Sequence, residues 1–537
     1  MNKRTILALI LIFFVFFISN KLIWKEPPQK QFTNEQAQKA VVEKNVKNNE
    51  ILPTKLSTLK KQNEYFNDIE LNDNIVLENN AVKVVFTNQG GNIRQIFLKD
   101  VMMEDKRTPV ELLLSDKGLL NIKFITESDS MNLANHNFSY NQDGDIVEFF
   151  IQSEGKKVIQ KVFRLKENYN LSMNLKIEDF GVIDSYNLGM DTGVYFDYKG
   201  DKRFKNYIKE VSQVDNKVVK VGLKNALKEE RLSGNIDWTV VKSKYFMLAA
   251  IPGRRVDLRE ISVSADNNSL KQIAKIEVSR VKVDDSFDFY FGPVDYENLR
   301  AYNIGLENSM EFGWKLIRPI SKLVLKLLMF LYKIIPNYGI AIIIMSIMIK
   351  VIFYPLTHKG MRSTHKMQKI QPLIKEVQSK YKNNPQKAQK EVMAIYKEHG
   401  VSPLGGCLPL LLQMPVFFAL YPVFQSTIAL RHAEFALWIK DLSVPDPYYI
   451  LPIIMGISMF LQQKLMSPKP SSNMDEKQLA QMKTQKIMMY GMPIFLVFIF
   501  KSLPAGLVLY WFSYNLLSIF EQIVIKKGTR DLVSQKK

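Results

Sequence analysis

NYGIAIIIMSIMIKVIFYPLT, residues Asn337–Thr357, is the stretch on which the fold turns. It carries a single charge, Lys350, and as a helix rising 1.5 Å per residue it is about 31 Å long, the thickness of a bilayer's hydrocarbon core. A segment so long and so apolar crosses a membrane. Lys350 lies roughly 10 Å inside the C-terminal end of the run, where a cation costs about 2.5–3.5 kcal/mol on insertion scales. It either snorkels to the nearby interface or faces a wet cavity or a partner. Polar residues in the other apolar runs favour the second reading: Ser346, Gln413, Gln425, Ser426, Thr427, Gln462, Gln463, Ser513 and Asn515. No Asp or Glu accompanies them until Glu521, near the end of the last run. The expectation is an unpaired cation whose partner arrives from outside.

Four further spans follow, at Gly405–Leu430, Tyr448–Gln463, Ile487–Phe500 and Ser502–Phe520. The uncharged runs 448–463, 487–500 and 505–520 are only about 24, 21 and 24 Å long as helices, which predicts a locally thinned bilayer. The connection 358–404 carries Lys359, Arg362, Lys366, Lys369, Lys375, Lys380, Lys382, Lys387, Lys390 and Lys397 against Glu376, Glu391 and Glu398, so it faces the cytoplasm. Residues 464–486 and the tail 526–537 share that bias, whereas 431–447 is nearly balanced. Within 358–404, Ile370, Ile374, Val377 and Tyr381 repeat at helical spacing. Asn383-Asn384-Pro385 break the pattern, and Ala388, Val392, Ile395 and Tyr396 resume it. This predicts a helical hairpin whose charges either solvate it or dock a ribosome or targeting particle.

Upstream, residues 306–334 read as an amphipathic helix. At 100° per residue Lys315, Arg318, Lys322, Lys326 and Lys333 form a basic stripe about 80° wide, opposite Trp314, Leu316, Ile317, Leu323, Val324, Leu327, Leu328 and Phe330. Such a helix lies in the headgroup plane or packs on protein. Residues 63–305 change period. Alternating runs such as Val82, Val84, Phe86 and Leu171–Ile177, with turns such as Gln89-Gly90-Gly91-Asn92, predict an antiparallel β-sandwich. Its lone histidine, His136, gathers no catalytic company. Residues 26–62 are rich in Lys, Gln, Asn and Glu and read as a flexible linker. Residues 1–25 carry Lys3 and Arg4 ahead of an uncharged Ile6–Ile18 and lack a small-x-small cleavage signal, so an uncleaved transmembrane anchor is expected. With the five-span core 335–525, six spans place both termini in the cytoplasm and the β domain in the periplasm.

The 537 residues carry a net charge of +20 with one cysteine, Cys407, which excludes an intrachain disulfide framework. The charge sits beside apolar runs and comes with no nucleic-acid recognition motif, so no DNA partner is expected. No Walker loop or metal-ligand spacing appears, and neither enzyme nor cofactor chemistry is implied.

Tyr354-Pro355-Leu356-Thr357, Val401-Ser402-Pro403-Leu404-Gly405-Gly406-Cys407-Leu408-Pro409, Gln413-Met414-Pro415, Phe435-Ala436-Leu437-Trp438-Ile439, Asp446-Pro447-Tyr448-Tyr449-Ile450-Leu451-Pro452 and Pro504-Ala505-Gly506-Leu507-Val508-Leu509-Tyr510 resemble the YidC/Oxa/Alb family of membrane insertases, in its Gram-negative form with a large periplasmic domain. The likeness runs from about 311 to 525 and more faintly through the β domain. It implies insertion and chaperoning of nascent inner-membrane proteins, alone or with the Sec translocon (SecYEG, SecDF). The ribosome and the signal recognition particle or its receptor are further partners. It also implies a hydrophilic groove whose cation is Lys350, with Ser346, Gln413, Met414, Phe417, Tyr510 and Trp511 as groove or substrate-facing positions. The family's usual residue at 350 is arginine; lysine keeps the charge and loses the bidentate fork. Trp511 stands where many relatives have tyrosine. A transporter or channel with a periplasmic binding domain is the rival reading, and would usually show an internal repeat of the spans.

Overall fold

The computed structural model describes residues 69–534 apart from 104, 114–117, 127–129, 181, 193–205, 266–269, 383, 402–407 and 467–489. The expected anchor and linker, Cys407 and most of the basic connection 464–486 lie outside the described residues. The rest falls into two compact units, one ending at Met310 and the other beginning at Glu311.

Among the described residues of the first unit, every strand is antiparallel to its neighbours. Alternation decides the faces: in Asn170–Ile177, Leu171, Met173, Leu175 and Ile177 are buried while Ser172, Asn174 and Lys176 are half-exposed. The sandwich read from the sequence becomes a nine-stranded sheet, from Lys217–Gly222 at one edge to Ser139–Asp143 at the other, faced by a six-stranded sheet running from Glu230–Ser233 to Ser130–Asn132. A third, four-stranded sheet spans Ile75–Glu78 to Pro109–Glu111. Periodicity fixes which side of a strand is buried, but it does not say how strands partition among sheets.

Buried polar groups bridge the layers. Gln272 of the six-stranded sheet donates to Thr239 of the nine-stranded sheet, and Thr239 and Ser212 both donate to Glu210 Oε1. All four side chains are shielded from water, and burial pushes the Glu210 carboxyl up to about 8. Lys161, equally buried, donates to the Gly90 carbonyl at 2.7 Å, to Asn92 Oδ1 at 3.1 Å and to the Leu120 carbonyl at 3.1 Å. It thereby ties down the Gly90-Gly91 turn, while burial pushes its ammonium down to about 7. A short helix α1 (Tyr296–Arg300), capped by Asp295, follows the last strand.

The second unit is helical. Helix α2 (Arg318–Ile334) starts at Arg318 with Pro319 in its first turn, where the missing N–H costs nothing. Lys315 therefore sits in the turn before the helix, and the expected stripe loses its first member. Ser321, Val324, Leu328 and Leu331 are buried as α2 packs on α3 (Tyr338–Lys380) and α5 (Leu408–Ser426). Its other face leaves Leu323, Phe330 and Ile334 exposed beside Lys326 and Lys333.

Helix α3 joins what the sequence reading separates. It passes through Pro355 and Pro372 without a break, so the first span and the first arm of the hairpin are one helix. Spanning helices tolerate proline where neighbours satisfy the freed carbonyls. The returning arm α4 (Pro385–Glu398) is capped by Asn384, which accepts from Lys387 N at 3.1 Å. The arms hold each other through Ile370, Ile374 and Val401, packed on Met367, Val392, Ile395 and Tyr396. Helices α6 (Ile450–Met466), α7 (Tyr490–Phe500) and α8 (Ala505–Ser534) complete the unit. Instead of ending at Phe520, α8 continues well past it, which carries Glu521 into the body of a helix.

Candidate functional site

The site is built where α3 faces α8. On α8, Tyr514, Ser518 and Glu521 fall at i, i+4 and i+7, one face of a helix; Ser346, Lys350 and Thr357 share a face of α3. Helix packing brings the two stripes together, and Lys350 Nζ lies 2.7 Å from Glu521 Oε2, with the side chains only 8% and 5% exposed. Lys350 also donates to Ser518 Oγ at 2.8 Å, and its ammonium stands 4.7 Å from the centroid of the Tyr514 ring. Thr357 Oγ1 donates to Glu521 Oε1 at 3.3 Å, while Oε2 has the ion contact with Lys350 and no hydrogen bond.

One expectation changes here. Lys350 neither snorkels nor stands unpaired: its counter-ion is Glu521, the acid near the end of the last run, where a partner from outside is the expectation from sequence. Ser346 is fully buried, and its hydroxyl returns to its own helix, donating to the Ile342 carbonyl at 2.8 Å. The signal that could have found the partner face was the spacing of Tyr514, Ser518 and Glu521.

The remaining positions form a second group. Phe417 of α5 meets Trp511 of α8 edge-on at 5.4 Å, and Trp511 meets Phe500 of α7 at 5.3 Å. Gln413 and Met414 lie one turn before Phe417 and are half-buried. Tyr510 is buried completely, its ring 6.2 Å from that of Tyr514. Several polar atoms turned into this interior have no hydrogen-bond partner among the described residues: Gln413 Nε2, Tyr510 OH, Trp511 Nε1 and both amide atoms of Gln522. Buried groups of this kind are ordinarily matched by water or by an incoming polar ligand. The arrangement offers a neutralised charge pair, loose hydrogen-bonding capacity and an aromatic wall, with no nucleophile–base pair and, among the described residues, no cluster of metal ligands.

Family models described as 60Kd inner membrane protein and YidC periplasmic domain match residues 330–532 and 74–326. The membrane protein insertase YidC of Chlorobaculum tepidum is 32% identical over 498 residues, covering 85% of this chain and 82% of the relative. That of Syntrophus aciditrophicus is 32% identical over 565 residues, covering 98% and 100%. Among solved structures, an active YidC insertase with its first transmembrane domain resolved shares 18% identity at a TM-score of 0.37, covering 87% of this chain and 96% of that one.

Proposed function

The chain belongs to the YidC family of membrane protein insertases, inner-membrane proteins that are not enzymes, and on that premise we propose that it moves client segments into lipid by a partner exchange at Lys350. At rest Glu521 neutralises the lysine. An entering client presents a polar or acidic flank, whose carboxylate competes for the three donors of the ammonium. Ser518 holds one donor throughout, so the cation is never left without an acceptor while one carboxylate replaces the other. A buried cation stripped of every partner would be prohibitive; an exchange avoids that state.

Gln413, Met414, Phe417, Tyr510 and Trp511 line the path in this reading. The orphaned polar atoms around Gln522 and Tyr510 support a hydrated groove, and the aromatic wall supports contact with the apolar part of the client. The short α6 favours thinned lipid beside the groove. Burial of the client's apolar helix, at roughly 25 cal/mol per Å², supplies the driving force without a nucleotide. The hairpin of α3 and α4 captures the emerging segment in the cytoplasm. Lys322 and Lys326 hold α2 at the headgroups, with Arg318 at its start and Lys315 just before it. The proposed topology is six spans, both termini cytoplasmic and the β domain periplasmic. The Sec translocon (SecYEG, SecDF), the ribosome and the signal recognition particle or its receptor are proposed partners.

The single observation that carries the reading is the buried Lys350–Glu521–Ser518 arrangement between two helices of an insertase. It is tested by depleting the protein and restoring variants in its place. Lys350→Arg should recover the inner-membrane proteins lost on depletion, and Lys350→Glu should fail for those with acidic translocated segments. Equal recovery by both variants contradicts the proposal.

A further inference from the structure

Two residues of α3 hold the Glu521 carboxylate. Lys350 Nζ stands 2.7 Å from Oε2, and Thr357 Oγ1 donates to Oε1 at 3.3 Å. They are seven residues apart, two turns along one face of the helix, and Thr357 is buried. Apart from Lys350, Thr357 is the only donor to this carboxylate among the described residues. Its hydroxyl has a second claimant, because Oγ1 also lies 3.2 Å from the Tyr354 carbonyl, one turn back on α3. Threonine in a helix commonly bonds back to its own helix in this way. A hydroxyl carries one proton, so it serves the carboxylate or the carbonyl, or divides itself and binds each weakly. Ser518 differs. Its hydroxyl donates to the Tyr514 carbonyl at 2.9 Å while its oxygen accepts from Lys350 at 2.8 Å, and the two roles do not compete.

The lysine side of the site is therefore fixed, and the carboxylate side can let go at little cost. When Glu521 leaves, the Thr357 proton passes wholly to the Tyr354 carbonyl, and no buried hydroxyl is left without an acceptor. We propose that Thr357 is a positioning residue that sets how readily Glu521 gives way: its hydroxyl holds the carboxylate on Lys350 at rest and turns to the Tyr354 carbonyl when a client carboxylate takes Glu521's place. This role rests on the exchange at Lys350 and gives it a threshold. A client acid has to overcome the ion contact together with a hydrogen bond to a charged acceptor. A client whose flank is neutral meets no such threshold, because it does not displace Glu521.

The test uses the purified full chain in vesicles and a single-span client whose translocated segment carries either aspartates or asparagines. The ratio of the two insertion rates, acidic over amide, is read in the parent, in Thr357→Val, Thr357→Ser and Glu521→Gln, and in Thr357→Val combined with Glu521→Gln. Thr357→Val keeps the branched shape without the hydroxyl and should raise the ratio roughly three- to tenfold, as expected for one net hydrogen bond. Thr357→Ser keeps the hydroxyl and should leave the ratio at the parent value, and in the Glu521→Gln background Thr357→Val should add nothing. If Glu521→Gln raises the ratio and Thr357→Val does not, the positioning role falls and the exchange stands. If Glu521→Gln leaves the ratio unchanged, the exchange falls and the positioning role with it. A Thr357→Ser ratio equal to that of Thr357→Val, an effect of Thr357→Val that persists without the Glu521 carboxylate, or an equal loss of both clients in Thr357→Val makes Thr357 structural and overturns the proposal.

Discussion

Lys350 and Glu521, far apart in the chain, meet at 2.7 Å inside the helical unit, and Ser518 closes the third side of the contact. The cation of this site is thus already answered by an internal carboxylate. Under the proposed exchange a client acid would have to outcompete Glu521, which would make the pair a filter as well as an attractor. The pair itself lies between α3 and α8.

Removing one half of the pair should cost more than removing both. Glu521→Leu leaves a buried, uncompensated ammonium and is expected to destabilise the protein by about 3–5 kcal/mol, whereas Lys350→Met combined with Glu521→Leu should recover most of that loss. Thermal unfolding of the four proteins in one detergent checks it. Additive losses would show that the two side chains do not interact.

The β domain should respond to pH through Glu210 and Lys161. Folding raises the Glu210 carboxyl from 4.5 to about 8. The folded state therefore binds more protons than the unfolded one across that window, and stability falls as pH rises from about 4.5 through 8, by at most ~1.4 kcal/mol per pH unit. Folding lowers Lys161 from 10.5 to about 7, so its contribution is present above 10.5 and lost as pH falls through 7. Melting temperatures measured from pH 5 to 6, below the range in which Lys161 titrates, should decline in the parent chain and flatten in Glu210→Gln. A slope unchanged by that substitution would assign the decline elsewhere.

Much of this architecture could be read from residues alone. Lys350 announces itself because it interrupts an apolar run, and Leu171, Met173, Leu175 and Ile177 give their strand away by strict alternation. The hairpin was legible in Asn384-Pro385 and in the spacing of Ile370 and Ile374. Glu521 was not, because its meaning depends on α8 continuing beyond the apolar segment and on the rotation of α8 against α3, both set by packing between distant parts of the chain. Ser346 entered as a groove position through the family resemblance, and its hydroxyl donates to the Ile342 carbonyl of its own helix.

Gly339 is needed for lack of a side chain. A Cβ there would fall 1.9 Å from the ring of Phe435, so Gly339→Ala should cost about 1–3 kcal/mol by forcing the 435–439 loop away from α3. Phe435→Ala in the same chain should relieve part of that loss. Thermal unfolding of the single and double variants reads the coupling, and its absence would show that the two positions do not touch.

The aromatic wall carries its own expectation. Trp511→Ala removes the ring that Phe417 and Phe500 both pack against and should destabilise by about 3–5 kcal/mol. Trp511→Tyr keeps an aromatic face and should lose far less. Unfolding midpoints together with client insertion measure both variants, and equal losses would mean that ring size, not the aromatic contact, is what matters.

The exchange at Lys350 is tested most directly by insertion into vesicles that contain the purified protein, using one client in two forms, its translocated segment acidic or neutralised to amides. The ratio of the two insertion rates is the readout. Freeing the lysine with Glu521→Gln should raise the ratio several-fold above the parent value, and Lys350→Glu should drive it below one. A ratio that stays the same in the parent chain and in both variants would contradict the account.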